Sequence, residues 1–156
     1  METALGLSGQ PVKRGTMAHD HNVYMVLTDN AAQRGDLEAL RQYTPLLEEL
    51  AIRDDHILFR AIAHRAWGAA HHLEGDNVKA VGRLGEALDL FTRLNTPWQM
   101  GRTLSEMAEV ELAQSRPAEA KEYLSRALAA FEAVKAGPDI KRIQEKLEAV
   151  TRQIGE

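Results

Sequence analysis

From about residue 20 onward, apolar residues recur at helical spacing in seven blocks separated by short turns. In the first block Val23, Tyr24, Leu27 and Ala31 fall at i, i+1, i+4 and i+8, which predicts an amphipathic helix over about Asp20–Arg34. Gly35-Asp36 ends it and caps the next helix, since Gly takes the left-handed turn and Asp accepts from free backbone N–H groups. Leu37, Leu40, Tyr43, Leu47 and Leu50 carry a second helix to about Ala51. Pro45 lies inside it and predicts a kink or a freed carbonyl. A third helix spans about Asp55–Glu74, with Asp54 or Asp55 as its N-cap. Its packed face is Ile57, Ala61, His64, Trp67, Gly68 and His71. Gly75-Asp76 repeats the turn, and a fourth helix, Asn77–Leu94, buries Val81, Leu84, Ala87, Leu88 and Phe91. Thr96 and Pro97 read as an N-cap and a first helical residue. They start a fifth helix to Gln114, with Leu104, Met107, Ala108 and Leu112 inward. Ser115-Arg116-Pro117 restarts a sixth, carrying Ala120, Tyr123, Leu124, Ala127, Leu128 and Phe131, and Gly137-Pro138 stops it. The seventh, Asp139 to about Ile154, sets Ile140, Ile143, Leu147, Val150 and Ile154 against Lys141, Arg142, Gln144, Glu145, Lys146, Glu148 and Arg152. One apolar and one polar face is what a terminal cap needs.

Part of this pattern repeats at an offset of 40 residues. Gly68 is echoed by Ala108, Gly75 by Ser115, Ala80 by Ala120, Leu84 by Leu124, Ala87 by Ala127, Leu88 by Leu128 and Phe91 by Phe131. Periods in this range mark stacked helical units, none of which can bury its apolar face alone. The expectation is an all-α chain of three antiparallel helical hairpins, about 20–52, 55–95 and 97–136, with a capping helix at 138–154. Residues 1–18 carry Gly6, Gly9, Pro11 and Gly15 and no periodicity, so they are expected to form a flexible arm ahead of a repeat domain over 19–156. Leu5 and Leu7 would let that arm dock. Met17 offers an alternative start.

These residues resemble the tetratricopeptide repeat family. His64 to Phe91 carries its pattern: a bulky pair ending in Trp67, then Gly68, the Gly75-Asp76 turn, Ala80, Leu84 and Ala87-Leu88. Met107 to Phe131 carries it with Ala108 and Ser115 in place of the two glycines. Tyr24 to Leu50 matches loosely, and its turn reads one residue shorter, because Gly35 to Ala39 is four steps where Gly75 to Ala80 is five. The usual repeat is about 34 residues; the longer period here is similar to the form found in bacterial regulators and adaptors. The resemblance implies a right-handed α-α solenoid that binds a protein or peptide segment in a concave groove lined by the first helix of each hairpin. Mapped onto this chain, that groove takes Asn22, Met25, Asp29 and Gln33 from the first unit, Ile62, Arg65, Ala69 and His72 from the second, and Arg102, Ser105 and Glu109 from the third. Chaperone-binding members grip a carboxylate with Lys and Asn where this chain has Met25 and Asp29. Arg65 and Arg102 are then either anion contacts, because a guanidinium forks onto a carboxylate, or ordinary exposed arginines. A small molecule or signalling peptide in the same groove is the alternative, as is self-association through the exposed first unit, Asp20 to Ala51.

Composition narrows the chemistry. Apolar residues are 44% and aromatics 5% of the 156, and Ala, Leu, Glu and Arg, all helix formers, dominate. A net charge of −4 with both signs interspersed argues against a nucleic-acid partner. With no cysteine, thiol catalysis, disulfides and zinc–cysteine sites are excluded. No run reaches the ~18 apolar residues of a membrane span, and no secretory signal opens the chain, so the expected location is the cytoplasm. His19, His21, His64, His71 and His72 invite a metal, yet no pair has the i, i+4 spacing of a helical two-histidine site. Gly82 and Gly85 lack the Lys-Ser or Lys-Thr of a phosphate loop. No catalytic residue, metal or cofactor is expected. Trp98 at a helix start is either a plug over the hairpin junction or an exposed interaction aromatic.

Overall fold

A computed structural model describes residues 14–155, with side chains from residue 22 on. All elements among them are α-helices: α1 Arg14–Arg34, α2 Leu37–Arg53, α3 Ile57–Leu73, α4 Asn77–Arg93, α5 Pro97–Ala113, α6 Pro117–Ala133 and α7 Gly137–Gly155. Each packs on its sequence neighbour. α1, α3 and α5 also touch one another across successive hairpins, whereas α2, α4 and α6 make no comparable contact among themselves. The first helices therefore form the inner rim of a helical-repeat solenoid, and α7 closes its last hairpin.

The turns explain why the helices are so regular. The residues at positive φ are Gly35, Asp55, Gly75, Asn95, Ser115 and Lys135, each twenty after the last. At every one the N–H of the next residue returns to a carbonyl five residues back, as in Asp76 to His71 (2.9 Å) and Thr96 to Phe91 (3.2 Å). This left-handed cap satisfies carbonyls that a helix end would otherwise strand. α2 to α6 are each 17 residues long, so the forty-residue period is two equal half-units. Asp36 and Asp76 cap α2 and α4, accepting from the N–H groups of Ala39 and Lys79. For α3 the cap is His56, whose Nδ1 accepts from the Phe59 N–H at 3.3 Å, in place of the expected Asp54 or Asp55; Asp55 is the left-handed residue itself. Thr96 sits at the N-cap position, but its hydroxyl donates back to the Phe91 carbonyl at 3.1 Å.

Other expectations need correction. α1 begins at Arg14, ahead of Asp20, so residues 14–18 are helical; Gly15 falls in the first turn, where few intrahelical bonds depend on it. Residues 1–13, with Leu5 and Leu7, lie outside the described residues. The turn of the first unit is not short. Leu40, not Ala39, occupies the position of Ala80 and Ala120, and all three are fully buried. Compared down the core, units two and three read Ala80-Leu84-Ala87-Phe91 and Ala120-Leu124-Ala127-Phe131, while unit one reads Leu40-Thr44-Leu47-Ala51. Large and small have changed places, so the layer is filled by different side chains at the same register. Pro45 is accommodated because it and Arg41, whose carbonyl loses its donor, are both at exposed positions of α2.

Two close approaches fix the hairpins. A methyl group on Gly68 would stand 2.6 Å from Leu84, and one on Gly101 would stand 2.7 Å from the Phe131 ring. Gly82, on the outside of α4, meets nothing within 4 Å, so there glycine only weakens the helix. Gly82→Ala is expected to raise the unfolding free energy by about 1 kcal/mol, measurable as a higher urea midpoint at unchanged slope. No helix among the described residues is long and apolar enough to cross a membrane.

Candidate functional site

The inner rim encloses a hollow of about 440 Å³ lined by α1 (Ala32, Gln33), α3 (Arg65, Ala69), α5 (Trp98, Arg102, Ser105, Glu106, Glu109) and α7 (Asp139, Arg142, Lys146). A second hollow, about 560 Å³, lies between α3 and α4 and is lined by those two helices alone. The rim hollow is the stronger candidate because four helices converge on it with charged groups. Lining groups on α5 arise from one helical stripe: Arg102, Glu106 and Glu109 lie at i, i+4 and i+7.

Beneath the hollow sits Asp29. Its Oδ1 accepts from Arg65 Nη2 at 3.1 Å, and its Oδ2 accepts from Arg102 Nη1 at 2.9 Å and from Gln33 Nε2 at 3.2 Å. Arg65 Nη1 donates to Gln99 Oε1 at 2.7 Å. Its guanidinium carbon lies 4.9 Å from the Phe91 ring centroid. Arg65 is only 3% exposed, so it is a buried charge held by a counter-ion, an amide and an aromatic face. Burial pushes the Asp29 carboxyl up, but the hydrogen bond from Arg102 and the charges of both arginines outweigh it and hold it below the ordinary carboxylate range. Burial, then the charge of Arg102, pushes Arg65 down to about 10, with Asp29 opposing.

Toward α7 the rim continues. Trp98 Nε1 donates to Asp139 Oδ2 at 3.0 Å, Arg142 Nη2 donates to Asp139 Oδ1 at 2.8 Å, and Lys146 donates to Glu109. Arg102 lies 5.2 Å above the Trp98 ring, so this tryptophan is a wall of the hollow, 39% exposed. Glu106 differs from its neighbours in having no hydrogen bond or ion pair among the described residues. Burial, reinforced by the charge of Glu109, raises its carboxyl above the ordinary range against the opposing pull of His72, Arg65 and Arg102.

Of the groove positions expected from the sequence, Gln33, Arg65, Ala69, Arg102, Ser105 and Glu109 line the hollow. Asp29 lies under it as their tie. Asn22 is exposed outside it, and Met25 packs half-buried against a core cluster. Ile62, 3% exposed, belongs to that same cluster and is no surface contact. His72 is half-buried beside the hollow, its Nδ1 without a partner among the described residues. Arg65 and Arg102 are engaged by Asp29 and are not free anion contacts. Glu106 was legible as a member of the Arg102–Glu109 stripe. Arg142 and Lys146 were readable only as one polar face of a cap, since nothing in α7 alone says that this face turns to α5.

The histidines occupy other sites. His64 Nδ1 is 2.9 Å from Arg83 Nη1 and 3.1 Å from Glu86 Oε1, and Trp67 Nε1 donates to Glu48 at 3.0 Å. His64 is half-buried in a polar seam with Arg83 and Glu86 of α4, whereas Trp67, half-buried too, packs against the core cluster of Ala31, Leu40, Ala66, Ala69 and Ala70 and turns its ring N–H to Glu48. His71 faces Glu74 at 3.4 Å. No group of three or more His, Asp or Glu side chains among the described residues is placed to hold a metal ion. His19 and His21 are among those whose side chains are not described.

Compared with known families, residues 59–133 match the family model described as Tetratricopeptide repeat. A search of curated proteins gave no match. The matched stretch runs from Phe59 in α3 to the end of α6, the two units whose core reads Ala-Leu-Ala-Phe.

Proposed function

We propose, from the tetratricopeptide repeats matched over residues 59–133, that this chain is a protein-interaction module taking a peptide or protein segment along the α1–α3–α5 rim. Repeats of this family mediate protein–protein interaction and form a scaffold without chemistry of its own. The observation that carries the groove reading is the convergence of four helices on one hollow of about 440 Å³. Its charged walls are pre-positioned by ties between helices, which lowers the ordering cost of binding. The segment would be recognised by a few residues seated in this hollow and supported elsewhere along the rim.

The test must not disturb the Asp29 tie, which excludes charge reversal at Arg65 or Arg102. Ser105→Trp fills the hollow from a half-buried position on α5. Peptides selected on the wild-type protein from a random library are expected to bind this variant at least about tenfold more weakly, while Gly82→Ala, away from the rim, binds them as wild type does. Equal binding by Ser105→Trp would remove the groove reading.

A further inference from the structure

We propose that Glu106 anchors a cationic side chain, lysine or arginine, of the segment bound in the rim hollow. This inference rests on the groove reading above and names the chemistry that the groove selects.

The argument is a charge balance. Seven charged side chains line the hollow. Arg65 and Arg102 share Asp29; Arg142 has Asp139; Lys146 has Glu109. Glu106 alone makes no hydrogen bond or ion pair among the described residues; the charges of His72, Arg65 and Arg102 act on it only from a distance. A carboxylate withdrawn from water without a partner is costly, and a cation delivered to it recovers that cost as a charge-assisted hydrogen bond. An arriving anion meets the opposite situation: the guanidiniums it would use are already bonded to Asp29 and Asp139, so it must break an existing pair.

The walls suit a long basic side chain. Ala32 on α1 and Ala69 on α3 offer only methyl groups, along which a lysine or arginine stem can lie with its head at the carboxylate. Glu109, one turn further along α5, adds negative potential. The groups that face Glu106 are His72 and Arg65 from α3 and Arg102 and Glu109 from α5. The two arginines repel an incoming cation, but the Asp29 carboxylate between them offsets much of their field.

The experiment uses the intact chain and a random peptide library with each residue type fixed in turn. Wild type is expected to enrich lysine or arginine at one register position. Glu106→Gln keeps the shape and removes the charge; it should fold normally, lose that enrichment and bind the selected basic peptides at least about tenfold more weakly. Glu106→Lys should move the preference to aspartate or glutamate. Binding of the basic peptides to wild type should also strengthen as pH rises through the Glu106 titration, and this dependence should vanish in Glu106→Gln. Enriched peptides without a basic preference, or a basic preference that survives Glu106→Gln, would overturn the proposal while leaving the groove reading intact. No enrichment of any peptide would overturn both.

Discussion

Phe131→Ala is expected to lower the unfolding free energy by about 3–5 kcal/mol. Phe131 is fully buried and shares a core cluster with Leu104, Leu124, Ile143 and Val150, from three helices. Gly101 is a glycine because the ring lies where its Cβ would be. Truncation therefore leaves a cavity walled by a helix backbone, which cannot collapse to fill it. In a stacked-repeat protein the interface terms are between neighbours, so the loss should be local. Hydrogen exchange is expected to show reduced protection over α5–α7 and near-native protection over α2 and α3. Uniform loss of protection would mean that the chain unfolds as one unit. Gly101→Ala should be destabilising in its own right, despite alanine's better helix propensity, and Phe131→Leu should relieve part of its cost.

Asp29→Ala is expected to cost about 3–5 kcal/mol as well, by a different route: it leaves the buried Arg65 guanidinium without its counter-ion. Replacing Arg65 as well, Asp29→Ala with Arg65→Leu, should recover part of the loss, because the most deeply buried charge is then no longer stranded, while Arg102, the less buried partner of Asp29, still loses its ion pair. The pH dependence supplies the second check. The folded carboxyl titrates below its unfolded value of 3.8. Its contribution is thus fully present above that value and is lost as pH falls through the folded pKa. Chemical denaturation at a series of pH values should show wild-type stability falling on acidification below about pH 4, with a shallower fall in Asp29→Ala. Parallel curves would remove Asp29 as the source.

The repeat was legible where unit two and unit three use the same side chains, from Gly68 and Ala108 through Phe91 and Phe131. It was misregistered in unit one because Ala39 stands beside Leu40, and an alanine-to-alanine match is the natural pairing when only types are compared. What is kept between the units is the filled volume, with Leu40 and Leu47 large where the others are small and Thr44 and Ala51 small where the others are large. All six turns were legible, but at three of them the left-handed residue was not, since Asp55, Asn95 and Lys135 adopt that conformation without being glycine. The lining of the rim hollow was legible as a stripe on α3 and α5. Its internal pairing was not, since Arg65 and Arg102 meet a carboxylate on α1 that the sequence presents as one more candidate contact. Such a pairing depends on how one hairpin leans on the next.

The row of ties along the rim has a mechanical consequence. Asp29 straps α1 to α3 and α5, and Glu109 and Trp98 strap α5 to α7. A coil spring laced along its inner side cannot widen by sharing the strain over every turn; it gives where the lacing is weakest. Here the laces differ in insulation. The Asp29–Arg65 tie is the better shielded, with 4% of the arginine and 20% of the aspartate side chain exposed, while Lys146 and Glu109 are 37% and 39% exposed and lie within reach of dissolved ions. The bore of this spring is therefore preset at the α1–α3 end and adjustable at the α7 end, where added salt slackens the lacing.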